Sequence, residues 1–576
     1  MQTPHAALPF LLLLLLPSRA SKPKVIITSL ADDYGYHNVG FAHGPSPSNP
    51  EARTPHLDLL ASTGVILDRM YTYKYCSPTR SSLLSGRLPT HVNQNNLNND
   101  IQAKSGPDLR FTLLPEKFKQ AGFTTAMIGK SHLGARSPAN LPINRGFDYH
   151  FGFLKGGEDH YTQGSGSKHG EKNTLDLWDG HGLSNETGVY SGYLYAQKAV
   201  DTIERFASTN TTASGLYLYL AWHNTHTPLE CPDEYRYPSW PSFHNSDPHR
   251  MTYNCMSRIL DDGMSNVTRA LKRTGLWDDT LLFFAADNGG WAGTSGANNY
   301  PLRGSKVSDF EGGVRVVSFV NGGRHVLPDN VRGTKHTGYI SIADWYGTLL
   351  NLVGVDPTDD VAGLPPVDSI DVWPSLLVPN ATFSGREELW LSWSCDGSNA
   401  LDPTHCDPNA TSMYNTSGDP TAQQSPDDKA LIWKQWKIVI GKQNLRGVWF
   451  GPVYPNGTSD GTDDSCLGGC LFDIVQDPTE HVNVKDQQPI VWEKMLHRLM
   501  NHSTTLYQTN YGEPNVTCMT GKEAAAYYKG HNTCWENRPG FTPSGKSCSN
   551  ATLRTYLGPM CFKNAPPNVQ KGFYNK

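Results

Sequence analysis

The chain reads as an α/β protein: a sandwich around a largely parallel sheet, followed by a smaller domain with an antiparallel sheet and a helix. Three observations lead there. Short apolar, β-branched or aromatic runs alternate with segments of helical spacing over the first two thirds of the sequence. Charged residues recur just after those runs, where an open parallel sheet collects its ligands. From residue 386 onward the pattern changes to alternating, aromatic-rich runs and one amphipathic segment.

The elements follow in order. Lys24 to Leu30 has the composition of a strand buried on both faces, and it ends in Ala31-Asp32-Asp33. Thr54-Pro55 predicts a helix start, with Thr54 as cap and Pro55 at the first helical position, closed by Gly64. Pro78 to Ser85 predicts a helix ended by Gly86, which sets residue 76 at its N-terminus. Pro115 to Gln120 predicts a helix and Thr124 to Ile128 the next strand. Tyr193 to Ala207 has helical spacing, Leu216 to Ala221 reads as a strand, Val267 to Lys272 as a helix and Leu281 to Ala286 as another buried strand. Leu389 to Trp393 and Ala430 to Ile440 are strand-like, and Pro489 to Met500 is helical. These readings divide the chain into residues 1–20, 21–385, 386–504 and a Cys-, Asn-, Gly- and Pro-rich extension, 505–576.

The first of these segments reads as a signal peptide. Ala6 to Leu16 is an almost uninterrupted apolar run, and Ser18-Arg19-Ala20 offers a small-residue cleavage site. No later stretch reaches the ~20 consecutive apolar residues of a membrane span. Ten N-x-S/T sequons mark candidate glycosylation sites, at Asn185, Asn210, Asn266, Asn380, Asn409, Asn415, Asn456, Asn501, Asn515 and Asn550. The 11 cysteines are odd in number, and setting Cys76 aside leaves an even set for disulfides in an oxidising compartment, with Cys395/Cys406 and Cys466/Cys470 as local candidates. Together these point to the secretory pathway, with an extracellular or lysosomal destination. A net charge of -5 argues against nucleic acid as a partner.

Asp32-Asp33 and Asp287-Asn288 each follow a strand. Three carboxylates buried together require a compensating cation or must take up protons. An all-oxygen set suits Ca²⁺, or Mg²⁺, better than zinc. Cys76 opens Cys76-Ser77-Pro78-Thr79-Arg80, and Arg80 lies one helical turn on. A helix N-terminus and nearby cations favour an anion there. Lys130, His132, His226 and Lys306 are the further candidates for an anionic ester site.

Several of these segments resemble those of the formylglycine-dependent, type I sulfatases. The resemblance rests on Cys76 to Arg87 (C-x-P-x-R followed by S-x-x-L-x-G-R), Gly129-Lys130-Ser131-His132-Leu133-Gly134, His226-Thr227-Pro228-Leu229, Pro301 to Lys306 and Glu311-Gly312-Gly313-Val314-Arg315, together with the two acidic segments. Within that family the chain looks most similar to the arylsulfatase B-like group, whose known member is an N-acetylgalactosamine-4-sulfatase. Ser131 departs from the pattern, standing where the family usually has Trp.

The resemblance implies an alkaline phosphatase-like fold and hydrolysis of sulfate esters, of sulfated glycans or aryl sulfates. It implies that Cys76 is oxidised by a formylglycine-generating enzyme. Asp32, Asp33, residue 76, Asp287 and Asn288 would then hold a divalent metal, and Arg80 would polarise the aldehyde hydrate. Lys130, His226 and Lys306 would bind sulfate, with His226 or Lys306 near the leaving oxygen. His132 would act as the base when the hydrate collapses. Two other readings stay open here: a phosphate or phosphonate ester hydrolase of the same fold, and a non-catalytic glycan-binding relative. The Gly- and His-rich stretch 155–182 is expected to border the substrate.

Overall fold

The computed structural model describes residues 22–43, 52–92, 94, 106–135, 138–165, 174–209, 212–235, 247–293, 295–393, 428–441, 443, 447–453, 457–458, 466 and 468–507. Five parallel strands form the centre of a ten-stranded sheet, in the spatial order Thr280–Ala286, Val25–Ala31, Gly215–Ala221, Phe123–Gly129 and Tyr149–Gly152. One margin continues through Ser318–Gly322, Val65–Leu67 and Thr334–His336, and the other through Trp178–Asp179 and Gly182–Leu183. Ser318–Gly322 is antiparallel to both of its neighbours. Every residue of the Val25, Gly215 and Thr280 strands is buried, as the uninterrupted apolar runs require of strands covered on both faces.

The covering layers follow from the alternation of side chains along the strands. On one face Ser29 Oγ meets Met264 of the long helix Pro248–Arg273 and accepts from Trp222 Nε1. On the other, Tyr217 stacks on Phe118 of the helix Leu114–Gln120, and the Tyr219 hydroxyl lies 3.5 Å from Arg80 of the helix Cys76–Ser85. A second, antiparallel sheet runs Glu388–Trp393, Lys429–Trp433, Trp436–Ile440, Cys470–Asp473. The helix Pro489–Ser503 packs Met495 and Leu499 against one face of it, onto Leu431, Ile438 and Leu471. The opposite face buries Leu389, Ile432, Val439 and Phe472 against Tyr71, Phe310 and Val314 of the main body.

Three local expectations change. Thr54 does not cap the helix Pro55–Ser62: its hydroxyl donates to Asp58 Oδ1 at 2.9 Å, and Asp261 instead accepts from the His56 and Leu57 amides at 3.2 and 2.7 Å. The run from Ala430 to Ile440 is a hairpin, Lys429–Trp433 and Trp436–Ile440, turning at Lys434, whose φ is 55°. The helical signal at Val267 to Lys272 is the end of a 26-residue helix that begins at Pro248. Cys466–Cys470 forms the expected local disulfide, and Cys231–Cys255 forms another. The Cys395/Cys406 pair, the 1–20 segment and all but the first three residues of 505–576 lie outside the described residues. No described helix is long and apolar enough to cross a membrane.

Candidate active site

The register of the parallel strands assembles the site. Ala31 pairs with Ala286, Leu30 with Ala221, and Ala221 with Gly129. Four strands therefore end side by side, and the residues after three of them, Asp32, Asp287 and Lys130, enter the same crevice, whereas Trp222 after the fourth turns into the core and bonds Ser29. The junctions are hydrogen-bonded to one another: Asp287 N to Ala31 O at 2.9 Å, Asp32 N to Asn224 O at 3.0 Å and Lys130 N to Ala221 O at 2.8 Å.

The helix Cys76–Ser85 is wholly buried and ends at Gly86 in the left-handed conformation, as the sequence predicts. Cys76 is its first residue rather than one lying before it, and Arg80, four residues on, projects from the same face. Cys76 is a free thiol, 1% exposed. Its Sγ lies 3.5 Å from Asp32 Oδ1, 3.9 Å from Asp33 Oδ1 and 3.5 Å from Lys306 Nζ. Burial pushes the thiol well above its ordinary range, and Asp287 and Asp32 add to this against Lys130 and Lys306.

The charged groups interlock around it. Arg80 donates through Nε and Nη2 to Asp287 Oδ2 at 3.0 and 2.8 Å, and through Nη1 to the Lys130 carbonyl at 2.9 Å. Lys130 Nζ contacts Asp32 Oδ2 at 2.6 Å, and Lys306 Nζ contacts Asp33 Oδ1 at 2.6 Å and Oδ2 at 2.8 Å. Burial lowers the Lys306 ammonium's affinity for its proton, yet Asp33, Cys76 and Asp32 outweigh this and hold it charged. Lys306, with His226 and Lys130 adding to it, keeps the Asp33 carboxyl below the usual carboxylate range despite its burial. Asp287 is pushed up to about 6 by burial and by Asp32, against the pull of Arg80 and Lys130.

The donor set fits a hard divalent cation. Asp32, Asp287 and Asn288 are fully buried, and Asp33 nearly so. Asn288 Nδ2 bonds Asp33 Oδ1 at 2.8 Å, which leaves its buried Oδ1 without a hydrogen-bond partner. An orphaned amide oxygen beside three carboxylates is what an oxygen-coordinated ion would satisfy. Asp32, Asp33, Cys76 and His226 each offer a ligand atom within 4.8 Å of the others.

The histidines border this cluster. His226 Nε2 lies 3.6 Å from Asp33 Oδ2, and its Nδ1 donates to the Thr227 carbonyl at 2.7 Å. Burial, aided by Lys130 and Lys306, lowers its pKa to about 3 against the pull of Asp33. His132 is 2% exposed. Gly156 and Gly157 lie on the two rings: a Cβ on Gly156 would stand 2.9 Å from His132 Nε2, and one on Gly157 3.3 Å from His226 Cε1. The start of the Gly- and His-rich stretch thus covers both imidazoles. Asp33, His132 and Val307 adopt positive φ values of 53°, 52° and 82°. For a β-branched residue such as Val307, next to Lys306, that is a strained conformation of the kind that concentrates at functional sites.

Two clusters beside the site were not apparent in the sequence. His160, His223 and His226 stack in a column, with centroids 4.2 and 5.4 Å apart. Buried Glu158 lies 4.0 Å from His223 and accepts from the Tyr195 hydroxyl. Burial lowers both His160, to about 4, and His223, so the column stands neutral behind His226. On the other side Lys74, two residues before Cys76, is buried against Asp309 at 2.7 Å and Asp428 at 3.0 Å. A lone His or Lys carries no signal of such partners, which lie up to 354 positions away.

A family model described as Sulfatase matches residues 24–355, more than half of the chain. The chain belongs to the sulfatase family. It is a sulfuric ester hydrolase, and the divalent metal implied by the family meets the donor set just described. Arylsulfatase J of Mus musculus is 32% identical to this sulfatase over 506 residues, 85% of this chain and 77% of that one. The N-acetylgalactosamine-6-sulfatase of Mus musculus is 29% identical over 379 residues, 63% of this chain and 68% of that one. Among solved structures, Ps i-CgsB in complex with k-i-k-neocarrahexaose has a TM-score of 0.64 at 24% identity and covers 85% of this sulfatase and 95% of its own chain. The PsFucS1 sulfatase from Pseudoalteromonas sp. has a TM-score of 0.61 at 22% identity, with coverages of 85% and 92%. Both share the fold, which is alkaline phosphatase-like.

Proposed function

We propose that this sulfatase hydrolyses sulfate esters of carbohydrates or arenes, with residue 76, converted to formylglycine, as its nucleophilic centre. The observation that carries the reading is the setting of Cys76: a buried free cysteine at a helix start, with Sγ 3.5 Å from both an acidic and a cationic group. A sulfate monoester is a permanent anion, and two buried ammonium groups and a helix N-terminus answer it. The hydrated aldehyde supplies one hydroxyl to attack sulfur and a second whose deprotonation expels sulfate by C–O cleavage, so the enzyme is not left as a stable ester.

Asp32, Asp33, Asp287, Asn288 and residue 76 would hold the metal, Ca²⁺ by preference and Mg²⁺ as the alternative, and it would polarise the oxygens at residue 76. Arg80 fixes Asp287 and the Lys130 carbonyl, which holds two strand ends and the helix in one geometry. Lys130 and Lys306 bind sulfate oxygens. His226 Nε2 and Lys306 Nζ both approach Asp33 Oδ2, which supports one or the other standing near the leaving oxygen. His132 takes the proton of the second hydroxyl.

The secretory route, through contact with a formylglycine-generating enzyme, is supported by the disulfides Cys231–Cys255 and Cys466–Cys470 among the described residues and by the exposure of the described sequon residues Asn185, Asn266, Asn380 and Asn501. Residues 21–385 serve as the catalytic domain and 386–504 as the smaller one. The finer likeness to the arylsulfatase B-like group, and with it a sulfated N-acetylhexosamine as substrate, belongs to the same proposal. Peptide mass spectrometry across Cys76, on protein secreted from a eukaryotic host, tests the reading directly. A mass about 18 Da below the cysteine peptide is expected. An unmodified Cys76 in protein that still releases sulfate overturns it.

A further inference from the structure

Two glycines bring an aromatic ring to the mouth of the site. Gly289 and Gly290 follow Asp287-Asn288, and neither has room for a side chain. A Cβ on Gly289 would lie 1.8 Å from the Gly312 carbonyl oxygen, and one on Gly290 2.6 Å from Ala297 Cβ and 2.7 Å from Gly35 Cα. Gly290 N donates to Asn299 Oδ1 at 3.0 Å, and its carbonyl accepts from Asn299 Nδ2 at 2.9 Å and from Lys306 N at 3.2 Å. On the far side, Ala292 N donates to Gly290 O at 2.9 Å, and Ala292 pairs in a β-bridge with Ala297. Trp291 stands between these two anchored positions, half-buried.

The orientation of its ring is set by Lys306. The ammonium lies over the indole, 5.3 Å from the ring centroid, and the same Nζ lies 3.5 Å from Cys76 Sγ. The indole face that carries the ammonium is therefore the one nearer the reacting centre, and a ring stacking there packs beside the Lys306 head group. What exposure the charged cluster retains falls on His226, Lys306 and Asp33, and Lys306 is the one that touches Trp291. The side chains of Asp32, Lys130 and Arg80 are 0% exposed, whereas that of His226 is 14% and those of Lys306 and Asp33 are each 4%. A sulfate group seated at residue 76 must direct its ester oxygen, and the ring that bears it, out past these less buried side chains.

We infer that Trp291 is a specificity-determining residue: its indole face is the platform on which the sulfate-bearing ring, a pyranose or an arene, stacks. The inference rests on residue 76 being the point of attack. The apolar face of either ring buries well on an indole. A platform held at both flanks loses little freedom on binding, so the contact appears as affinity for the organic part of the substrate. The competing role is a purely positional one, in which the indole only steadies the Lys306 ammonium.

The two roles separate in kinetics. Trp291→Ala and Trp291→Phe are compared with the unsubstituted enzyme on para-nitrophenyl sulfate, with inorganic sulfate as competitive inhibitor. Stacking predicts that Trp291→Ala raises KM about tenfold with kcat within about threefold, that Trp291→Phe recovers most of the loss, and that the inhibition constant of inorganic sulfate stays within about twofold. A rise in that constant alongside a fall in kcat assigns Trp291 to Lys306 instead, and unchanged kinetics make it a bystander; either result overturns the proposal. Calorimetric binding of the intact aryl sulfate to Cys76→Ala protein, with and without Trp291→Ala, reads the same contact without turnover. If the unsubstituted enzyme releases no sulfate, the assignment of residue 76 fails, while the binding arm still decides Trp291.

Discussion

At the scale of single residues, the site is a balance of buried charges in which each side chain has one geometric task. Lys306 Nζ touches Asp33 and faces residue 76 from a position 3% exposed overall. In the proposed mechanism, replacing it by Met removes a preorganised cation from the developing sulfate charge. We expect kcat/KM for para-nitrophenyl sulfate to fall by about 10² to 10³, read from initial rates; a change of less than threefold would remove Lys306 from the sulfate cradle. Cys76→Ser tests the chemistry itself. A serine hydroxyl can accept the sulfuryl group but has no second hydroxyl to expel it, so nitrophenolate release should stop after one equivalent per enzyme. Sustained turnover by that variant is incompatible with the formylglycine mechanism.

At the scale of elements, the start of the helix Pro55–Ser62 depends on a residue far away in sequence. Asp261 accepts from the Leu57 amide at 2.7 Å and the His56 amide at 3.2 Å, the free donors of the first turn. Asp261→Ala should destabilise the protein by about 1–3 kcal/mol, seen as a lower midpoint in urea, while kcat/KM on the folded protein stays within twofold. An unshifted midpoint would mean that solvent can satisfy those amides at no cost. The helix Cys76–Ser85 shows the opposite case. Its Leu83 and Leu84 join the core, but hydrophobic burial does not account for the Ser, Thr and Arg residues buried with them, which fit the proposed role of this helix in the site.

At the scale of the whole molecule, a buried charge triad joins the main body to the smaller sheet. Lys437 Nζ contacts Glu311 Oε1 and Glu480 Oε1, each at 2.9 Å, and all three side chains are 0% exposed. Glu311 also accepts from Tyr71 Oη at 2.9 Å. Lys437→Met strands two carboxylates and should cost about 3–5 kcal/mol, measured by chemical denaturation. The triad also carries a pH dependence. Burial raises Glu480 from 4.5 to about 7, with Glu311 adding to the shift and Lys437 opposing it. A raised folded pKa means that the native state binds the proton more tightly than the unfolded chain. Its stabilisation is complete below pH 4.5 and lost as pH rises toward 7, a change of at most about 3 kcal/mol. Glu480→Gln should flatten that part of the stability–pH curve; an identical curve in the variant would place the proton elsewhere.

How much of this was legible in the sequence depends on the range of the interaction concerned. Asp32, Asp33, Lys130, Asp287 and Asn288 could be found because each follows a buried strand, and the ends of parallel strands converge whatever lies between them. Cys76 and Arg80 could be found because one turn of helix relates them. Local signals failed where a partner came from elsewhere: Asp261 displacing Thr54 as the cap, Lys74 meeting Asp309 and Asp428, and Glu158 beneath the histidine column. By itself the sequence determined the alternation of elements, the residues delivered to the crevice and the reaction class. Only the tertiary structure decided which charges touch, that His132 and His226 lie under Gly156 and Gly157, and that the Lys306 ammonium lies over the Trp291 ring. The physical reason is that backbone periodicity and strand-end placement are written within a few residues, whereas ion pairs, caps and ring contacts form between side chains that only packing brings together.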